Sequence, residues 1–162
     1  MLHLLRHPSI TSLRAALLAG AGAMLCISSL ALLQHWQHSL LIMAPFGATM
    51  VILFALPDSP LAQPRNIIGG HLLTALIGLL MLHYAEVSPL TLGLATGLGV
   101  SLMVLTNTLH PPAGANPLLV MLTVPEWDFL LTPVLSGAVL IVLFGVIYHR
   151  MINRRAYPLR WF

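Results

Sequence analysis

The chain carries little charge and contains no lysine. Only 7% of its 162 residues are charged, comprising seven arginines and four acidic residues. Soluble domains carry about a quarter charged residues, so this chain cannot form an ordinary water-facing surface. Because 58% of the residues are hydrophobic and the mean hydropathy is +0.93, we predict an integral membrane protein.

The features that usually mark an enzyme or a metal centre are also missing. The single cysteine, Cys26, excludes an intramolecular disulfide and is interpreted as a small core residue. No nucleophile elbow, P-loop, dinucleotide fingerprint or HExxH motif occurs. The histidine pairs His3/His7 and His35/His38 have a helix-compatible spacing for a metal, but no cysteine or carboxylate cluster joins them. The acidic residues lie outside the centres of the predicted spans, which makes a sodium site hard to build. We therefore expect no catalysis, no cofactor and no metal site.

Six of the seven arginines lie near the two ends of the chain, which indicates basic flanks and not a nucleic-acid surface. Basic flanks stay cytoplasmic, so we expect a bacterial inner-membrane protein with both termini in the cytoplasm and a basic cytoplasmic tail over residues 151–162. The remaining arginine, Arg65, is cytoplasmic if the chain crosses the membrane six times and external if it crosses four times. The arginine bias mildly favours six crossings.

Apolar runs of about 20 residues, the length that a bilayer core requires, occur four times. They cover residues 15–34, 66–84, 89–109 and 129–149. Two further apolar segments, 39–56 and 110–125, are broken by proline and glycine. The predicted fold is therefore an all-α polytopic membrane protein with four firm transmembrane helices and two Pro/Gly-broken segments, half-spanning or re-entrant. Whether the broken segments cross fully is left open.

The sequence also matches itself when it is shifted, without gaps, by the distance from Pro45 to Pro112. This repeat shift aligns proline, glycine and alanine in the two broken segments, namely Pro45 with Pro112, Gly47 with Gly114 and Ala48 with Ala115, and it also aligns Gly70 with Gly137 and Gly78 with Gly145. We interpret residues 14–85 and 89–150 as homologous repeats, each made of a span, a broken segment and a second span. Aligned interrupted segments in two halves indicate the binding site of a transporter.

The broken segments predict a site for a small anion. Non-helical backbone survives in lipid only where protein or a wet cavity covers it. Since proline suits a first helical turn, a new helix is expected to begin near Ala113 and to present free N–H groups, which attract anions. The alternative is that the breaks are kinks that serve packing alone. The backbone residues expected to line the anion site are Pro45, Gly47, Ala48, Pro112, Gly114 and Ala115.

Polar side chains near the second break are expected to complete the site. His110 and Asn116 are candidate hydrogen-bond donors, and Asn107 and Thr108 lie close by in the sequence. A histidine at membrane depth is costly, so it indicates a donor or a protonatable gate, although it could also bind a free carbonyl group around the break. His71, on the second predicted span, could face the same cavity.

These residues also carry a resemblance to a known family. "LHPPAGANPLL" and "APFGATMVILFALPDSPLAQPRNIIGGHLLTALIG" resemble the two long motifs of the HPP family of integral membrane proteins, and the resemblance extends over essentially the whole chain as one membrane domain, 1–162. Members are usually described as having four transmembrane helices, which suits re-entrant broken segments. Cyanobacterial and chloroplast relatives are associated with nitrite transport, so the resemblance implies nitrite as a substrate.

The expected function is therefore transport of a small inorganic anion, nitrite or nitrate, through a membrane transporter or channel. So small a bundle is expected to form a homo-oligomer in the lipid bilayer. Two other interpretations stay open at this point. One is a membrane scaffold or partner subunit that transports nothing, and the other is a channel for cations or neutral solutes that uses the carbonyl groups of the breaks.

Overall fold

The computed structural model describes residues 13–161, and within this range the chain forms helices and turns without any strand. Three 3₁₀ turns lie at Pro60–Ala62, Pro111–Ala115 and Trp127–Leu130, and a π-helical turn at Leu131–Leu135 leads into the last helix. The six α-helices are α1 (Leu13–Gln37), α2 (Ala44–Ala55), α3 (Pro64–Tyr84), α4 (Pro89–Leu105), α5 (Asn116–Thr123) and α6 (Ser136–Met151).

Proline starts most of these helices. Four of them have proline in the first two positions, where its fixed φ suits the helix and its missing N–H costs no hydrogen bond. These prolines are Pro45, Pro64, Pro89 and Pro117. Helix α4 is also capped, because the Ser88 hydroxyl accepts from the Thr91 N–H and the Thr91 hydroxyl accepts from the Ser88 N–H.

Three helical stretches are long and apolar enough to cross a membrane. They cover Leu13–Gln37, Pro64–Tyr84 and Trp127–Met151. The predicted span at 89–109 is shorter in the structure, because α4 has 17 residues and Asn107 then turns the chain with a φ of 55°. An all-helical membrane protein is therefore confirmed, whereas four firm spans and the number of crossings stay predictions.

The second break differs from its prediction in one respect. The α-helix begins at Asn116 and not near Ala113, because Pro111–Ala115 form a 3₁₀ turn first. In that turn the Ala113 N–H donates to the His110 carbonyl at 2.9 Å, and the Asn116 N–H donates to the Ala113 carbonyl. Some of the donors expected to be free are therefore engaged by the turn itself.

The long helices approach the two breaks closely at glycine. A Cβ on Gly70 of α3 would lie 2.9 Å from the Thr108 carbonyl oxygen, and one on Gly137 of α6 would lie 2.8 Å from the Leu41 carbonyl oxygen. In each case only a residue without a side chain leaves room for the backbone that enters the break. The repeat shift relates the two contacts, since it aligns Gly70 with Gly137 and Leu41 with Thr108.

A second pair of contacts lies further along the same helices. A Cβ on Gly78 would lie 2.9 Å from Cβ of Val120, and one on Gly145 would lie 3.0 Å from a methyl group of Leu53. Helix α3 thus packs on α5, and α6 packs on α2, through glycines at matching positions. In lipid such close packing, not exclusion of water, is what holds helices together.

The segment after α6 returns to the connection between α2 and α3. The buried Tyr157 hydroxyl donates to the Ala62 carbonyl at 2.7 Å, and the Leu159 N–H donates to Gln63 Oε1 at 2.9 Å. Burial raises the pKa of the Tyr157 phenol, which therefore stays a neutral donor. Residues 151–161 are thus fixed against the helices, which their basic composition did not predict.

Candidate functional site

A cluster of four polar side chains lies in the interior of the described helices. The four side chains come from three helices and from the residue before the second break, and all are fully buried. We call this cluster the buried polar chain; its members are Thr49 on α2, His71 on α3, His110 before the second break and Asn116 at the start of α5.

The Thr49 hydroxyl joins the two imidazoles. Its Oγ1 lies 2.9 Å from Nε2 of His71 and 2.9 Å from Nε2 of His110. At the far side of each ring, His110 Nδ1 lies 2.8 Å from the Leu61 carbonyl oxygen, and His71 Nδ1 lies 3.1 Å from Asn116 Nδ2. The hydrogen bonds therefore run without interruption from Asn116 to Leu61.

The chemistry of the end groups sets the direction of these bonds. A carbonyl oxygen only accepts, so the proton of neutral His110 lies on Nδ1 and its Nε2 accepts from Thr49. The Thr49 hydroxyl has a single proton, so it accepts in turn from Nε2–H of His71. His71 Nδ1 is then an acceptor for the Asn116 amide, which shares its two protons among this nitrogen, the His71 carbonyl and the Thr74 hydroxyl. The Pro45 carbonyl, at 3.3 Å, is a second and more distant acceptor for Thr49.

Asn116 leaves one atom without a partner. Its Nδ2 lies 3.0 Å from the His71 carbonyl oxygen and 3.0 Å from the Thr74 hydroxyl, besides its contact with His71 Nδ1. Its Oδ1 is the one buried side-chain nitrogen or oxygen without a hydrogen bond in residues 13–161. An unsatisfied buried acceptor is costly, so this atom marks a position where a donor is expected.

Aromatic packing covers one side of the buried polar chain. The Phe46 and His71 rings meet in a T-shaped arrangement with a centroid distance of 5.0 Å, and the two imidazoles are also 5.0 Å apart. Among the described residues no acidic side chain bonds to either imidazole, and no three His, Cys, Asp or Glu side chains converge as metal ligands would.

A cavity of about 710 Å³ lies beside the Leu61 end of the buried polar chain. It brings Arg65, at the start of α3, and Arg160, in the returning tail, to one space together with Asp58. Asp58 is paired with Arg155 at 3.3 Å, whereas neither Arg65 nor Arg160 meets a carboxylate in the described part of the chain. We call it the cationic cavity; its other lining residues are Pro60, Leu61, Gln63, Asn66, Val104, Asn107, Leu109 and Leu159.

A separate open groove of about 660 Å³ lies between the two breaks. The repeat shift relates four pairs of its lining residues, such as Pro45 with Pro112 and Ala48 with Ala115. All of its lining side chains are apolar: Ala44, Pro45, Ala48, Val51, Ile52, Pro111, Pro112, Ala115 and Leu119. The groove therefore offers an anion no charged or hydrogen-bonding side chain.

The predicted site residues thus fall into separate places. His71, His110 and Asn116 meet in the buried polar chain, while Asn107 lines the cationic cavity. Thr108 packs against Gly69 and does not reach the buried polar chain. Four of the predicted backbone residues line the apolar groove: Pro45, Ala48, Pro112 and Ala115. The other two, Gly47 and Gly114, have open space where a Cβ would stand.

Sequence reasoning missed three contributors. Thr49 was not singled out, although the repeat shift aligns it with Asn116 and so pairs the polar residues of the two breaks. The Leu61 carbonyl and Arg160 carried no signal, because their positions depend on contacts between distant parts of the chain.

The fold and the site define a polytopic helical membrane protein built around a buried, hydrogen-bonded chain of polar side chains. Residues 8–158 match the family described as HPP, transmembrane region. The chain therefore belongs to the HPP family of membrane proteins, which confirms the resemblance carried by its two motifs.

Two transmembrane proteins of Dictyostelium discoideum are similar to this chain. One is 37% identical over 142 residues, which are 80% of this chain and 50% of the relative. The other is 31% identical over 133 residues, which are 77% of this chain and 43% of the relative. This chain thus spans about half the length of the curated relatives it matches. No solved structure matches it.

Proposed function

We propose that this protein carries a small inorganic anion across a bacterial inner membrane and is not an enzyme. Nitrite is the proposed substrate and nitrate the second candidate. One observation carries the proposal: Leu61 lines the cationic cavity and accepts a hydrogen bond from His110. A space with two arginines that meet no carboxylate thus adjoins a fully buried donor.

Charge and hydrogen-bond polarity both favour an anion in the cavity. Arg65 and Arg160 line it, Arg65 with one guanidinium nitrogen donating to the Thr106 carbonyl, and the one acidic residue there, Asp58, is paired with Arg155. Cations that line a concave space concentrate anions in it. An anion that displaced the Leu61 carbonyl would meet the Nδ1–H of His110, a neutral donor well suited to a weakly basic anion.

The helix starts at the two breaks remain a second place for the anion. The apolar groove joins them but supplies only backbone groups, so we propose binding in the cationic cavity first. The glycine contacts at matching positions support two homologous halves, since the contact of Gly70 with Thr108 and that of Gly137 with Leu41 are related by the repeat shift.

We also propose that copies of the chain associate in the bilayer. The break residues Pro111 and Ala115 are exposed in the single chain, and lipid cannot satisfy non-helical backbone. The mass of the purified protein in detergent tests this point: a multiple of the 17.5 kDa chain mass is expected, and a single chain mass would contradict it.

Nitrite influx into liposomes that contain the purified protein tests the transport proposal. At slightly alkaline pH nitrite is ionised and crosses lipid slowly, so influx above that of empty liposomes measures the protein. Replacing both cavity arginines, Arg65→Gln with Arg160→Gln, is expected to lower influx by about tenfold, which corresponds to about 1.4 kcal/mol. Arg14→Gln, an exposed arginine at the start of α1, is the matched control and should keep wild-type influx.

The outcomes separate this proposal from its rivals. Wild-type influx equal to that of empty liposomes, for nitrite and for nitrate, would favour the scaffold or partner subunit. Influx of a monovalent cation in place of an anion would favour the cation channel. Influx that survives the loss of both arginines would move the binding step away from the cationic cavity and towards the helix starts.

A further inference from the structure

We propose that the buried polar chain carries a proton together with the anion, so that transport is coupled to protons. The inference rests on the proposed transport function and names its coupling ion. Its basis is the unbroken line of hydrogen bonds from Asn116 through His71, Thr49 and His110 to the Leu61 carbonyl, beside the cationic cavity.

The geometry suits proton transfer because the two inner links, on either side of Thr49, join groups that can exchange roles. Each imidazole has one nitrogen that holds a proton and one that accepts, and the Thr49 hydroxyl does both at 2.9 Å on either side. Both nitrogens of both rings are engaged, as they also are in the buried His149. What sets His71 and His110 apart is that one hydroxyl connects the two rings.

The transfer balances in atoms and charge. Once the Asn116 amide has turned, a proton from a hydronium ion forms an N–H bond at His71 Nδ1, and the Nε2–H bond breaks as that proton passes to Thr49 Oγ1. Thr49 releases its own proton to Nε2 of His110. When the Leu61 carbonyl moves aside, His110 releases its Nδ1 proton to an anion or a water in the cavity that Leu61 lines. One proton leaves for each proton that enters. Rotation of the hydroxyl and the rings restores the starting arrangement.

The unpartnered oxygen of Asn116 fits the first step. In the structure the amide donates to His71 Nδ1, so a proton on that nitrogen would face a donor and be repelled. If the amide turns, Oδ1 accepts from the new Nδ1–H and gains the partner that it lacks, while Nδ2 gives up its bond to the His71 carbonyl. Asn116 can therefore bond to either state of His71, with a different atom in each.

The distribution of charge around the buried polar chain favours movement of a proton and an anion together. Within residues 13–161, α2, α4, α5 and α6 present no acidic or basic side chain that bonds to the two imidazoles, and the titratable side chain in ring contact with each is the other imidazole. The cationic cavity, which Leu61 lines, holds three charged groups: Arg65, Arg160 and Asp58. An extra proton on the buried pair therefore lacks a counter-charge within the protein, and the transported anion would supply one.

Thr49→Val tests the relay, because valine keeps the shape of threonine and removes the hydroxyl. Liposomes are loaded with a pH-sensitive dye, nitrite is added outside, and nitrite influx and internal acidification are measured on the same preparation. Wild-type protein is expected to acidify the lumen in step with nitrite influx. Thr49→Val should lower the acidification per nitrite by about a hundredfold, the lower end of what a positioned proton-transfer group contributes, and Thr49→Ser, which restores a hydroxyl, should recover it.

Thr96→Val is the matched control. The Thr96 hydroxyl is part-buried on α4 and donates to the Leu92 carbonyl, outside the buried polar chain, so this variant should behave as wild type in both measurements. Empty liposomes correct for nitrous acid that crosses the lipid by itself. Thermal unfolding of each variant shows whether it is folded.

Each result decides between the relay and the transport function. Nitrite influx without acidification in the wild type, or equal coupling in Thr49→Val, overturns the relay and leaves transport intact. Absence of nitrite and nitrate influx overturns the transport function. In that case acidification driven by a membrane potential and dependent on Thr49 would still support the relay as a proton path, and absence of acidification would overturn the relay as well.

Discussion

At the scale of single residues, the hydroxyl of Thr49 is the most informative atom of the site. It is the one group that bonds to both imidazoles, and it lies on a helix that contributes no other member of the buried polar chain. Its removal leaves Nε2 of His71 and Nε2 of His110 without this partner in the buried interior. We therefore expect the loss of this hydroxyl to lower both the stability of the protein and the proton coupling of transport.

Thr49→Val is expected to lower the free energy of unfolding by about 1–3 kcal/mol, the usual cost of leaving a buried polar group unsatisfied. Thr96→Val, whose hydroxyl bonds only within its own helix, should lower it by less than about 0.5 kcal/mol. Thermal unfolding in detergent compares the two. Equal stability of both variants would mean that Thr49 is not hydrogen-bonded to His71 and His110 as described.

Residue types alone identified much of this cluster. His71, His110 and Asn116 stand out in an apolar chain because polar groups at membrane depth are costly. Thr49 does not stand out, since threonine is tolerated in membrane helices by bonding to its own backbone, as Thr96 does. Which polar residue matters is decided by what approaches it from another helix, and a single sequence does not contain that information.

At the scale of helices, the close contacts of α3 and α6 with the two breaks position the site. Gly70 lies against the Cβ of His110 and the backbone of Thr108, so it brings the second break to α3 next to His71. Gly137 lies against the Phe46 ring and the Leu41 carbonyl in the same way. The contact at Gly70 holds the imidazoles of His71 and His110 within hydrogen-bond distance of the Thr49 hydroxyl.

Gly70→Ala is expected to destabilise the protein by about 1–3 kcal/mol, because the new methyl group would lie 2.9 Å from a backbone oxygen that cannot easily move. Gly93→Ala, where a Cβ meets nothing within 4 Å, should be neutral or stabilising by up to about 1 kcal/mol. Unfolding measured on both variants tests the packing. A stable Gly70→Ala protein with a wild-type interior would contradict it.

The order of helices and breaks follows closely from the sequence, while their ends do not. Apolar runs and proline–glycine clusters predicted α1, α3, α6 and both broken segments. The start of α5 was misplaced because Pro111–Ala115 adopt a 3₁₀ turn, which uses the same residue types as a helical first turn. The returning tail could not be predicted, since its contacts join residues more than 90 positions apart.

At the scale of the whole molecule, the tail closes one side of the cationic cavity. Tyr157 anchors it through the Ala62 carbonyl, and the residues that follow bring Arg160 to the cavity wall. A basic tail whose composition indicated only a role in orientation thus contributes a cation to the proposed anion path. The position of Arg160 in the proposed anion path therefore depends on the hydrogen bond of the buried Tyr157.

Tyr157→Phe is expected to lower nitrite influx severalfold, because loss of the hydroxyl frees the tail and moves Arg160 from the cavity. The free energy of unfolding should fall by about 0.5–1.5 kcal/mol, the usual contribution of one hydrogen bond. Tyr84→Phe is a suitable control, since Tyr84 is exposed at the end of α3. Unchanged influx in Tyr157→Phe would exclude the tail from the path.

The central claim, that the protein transports a small anion, is tested most directly by wild-type nitrite influx into liposomes over a range of external concentrations. The account predicts influx that exceeds that of empty liposomes, saturates with concentration and is reduced by competing nitrate. Influx equal to that of empty liposomes at every concentration, with a protein shown to be folded and inserted, would contradict the account.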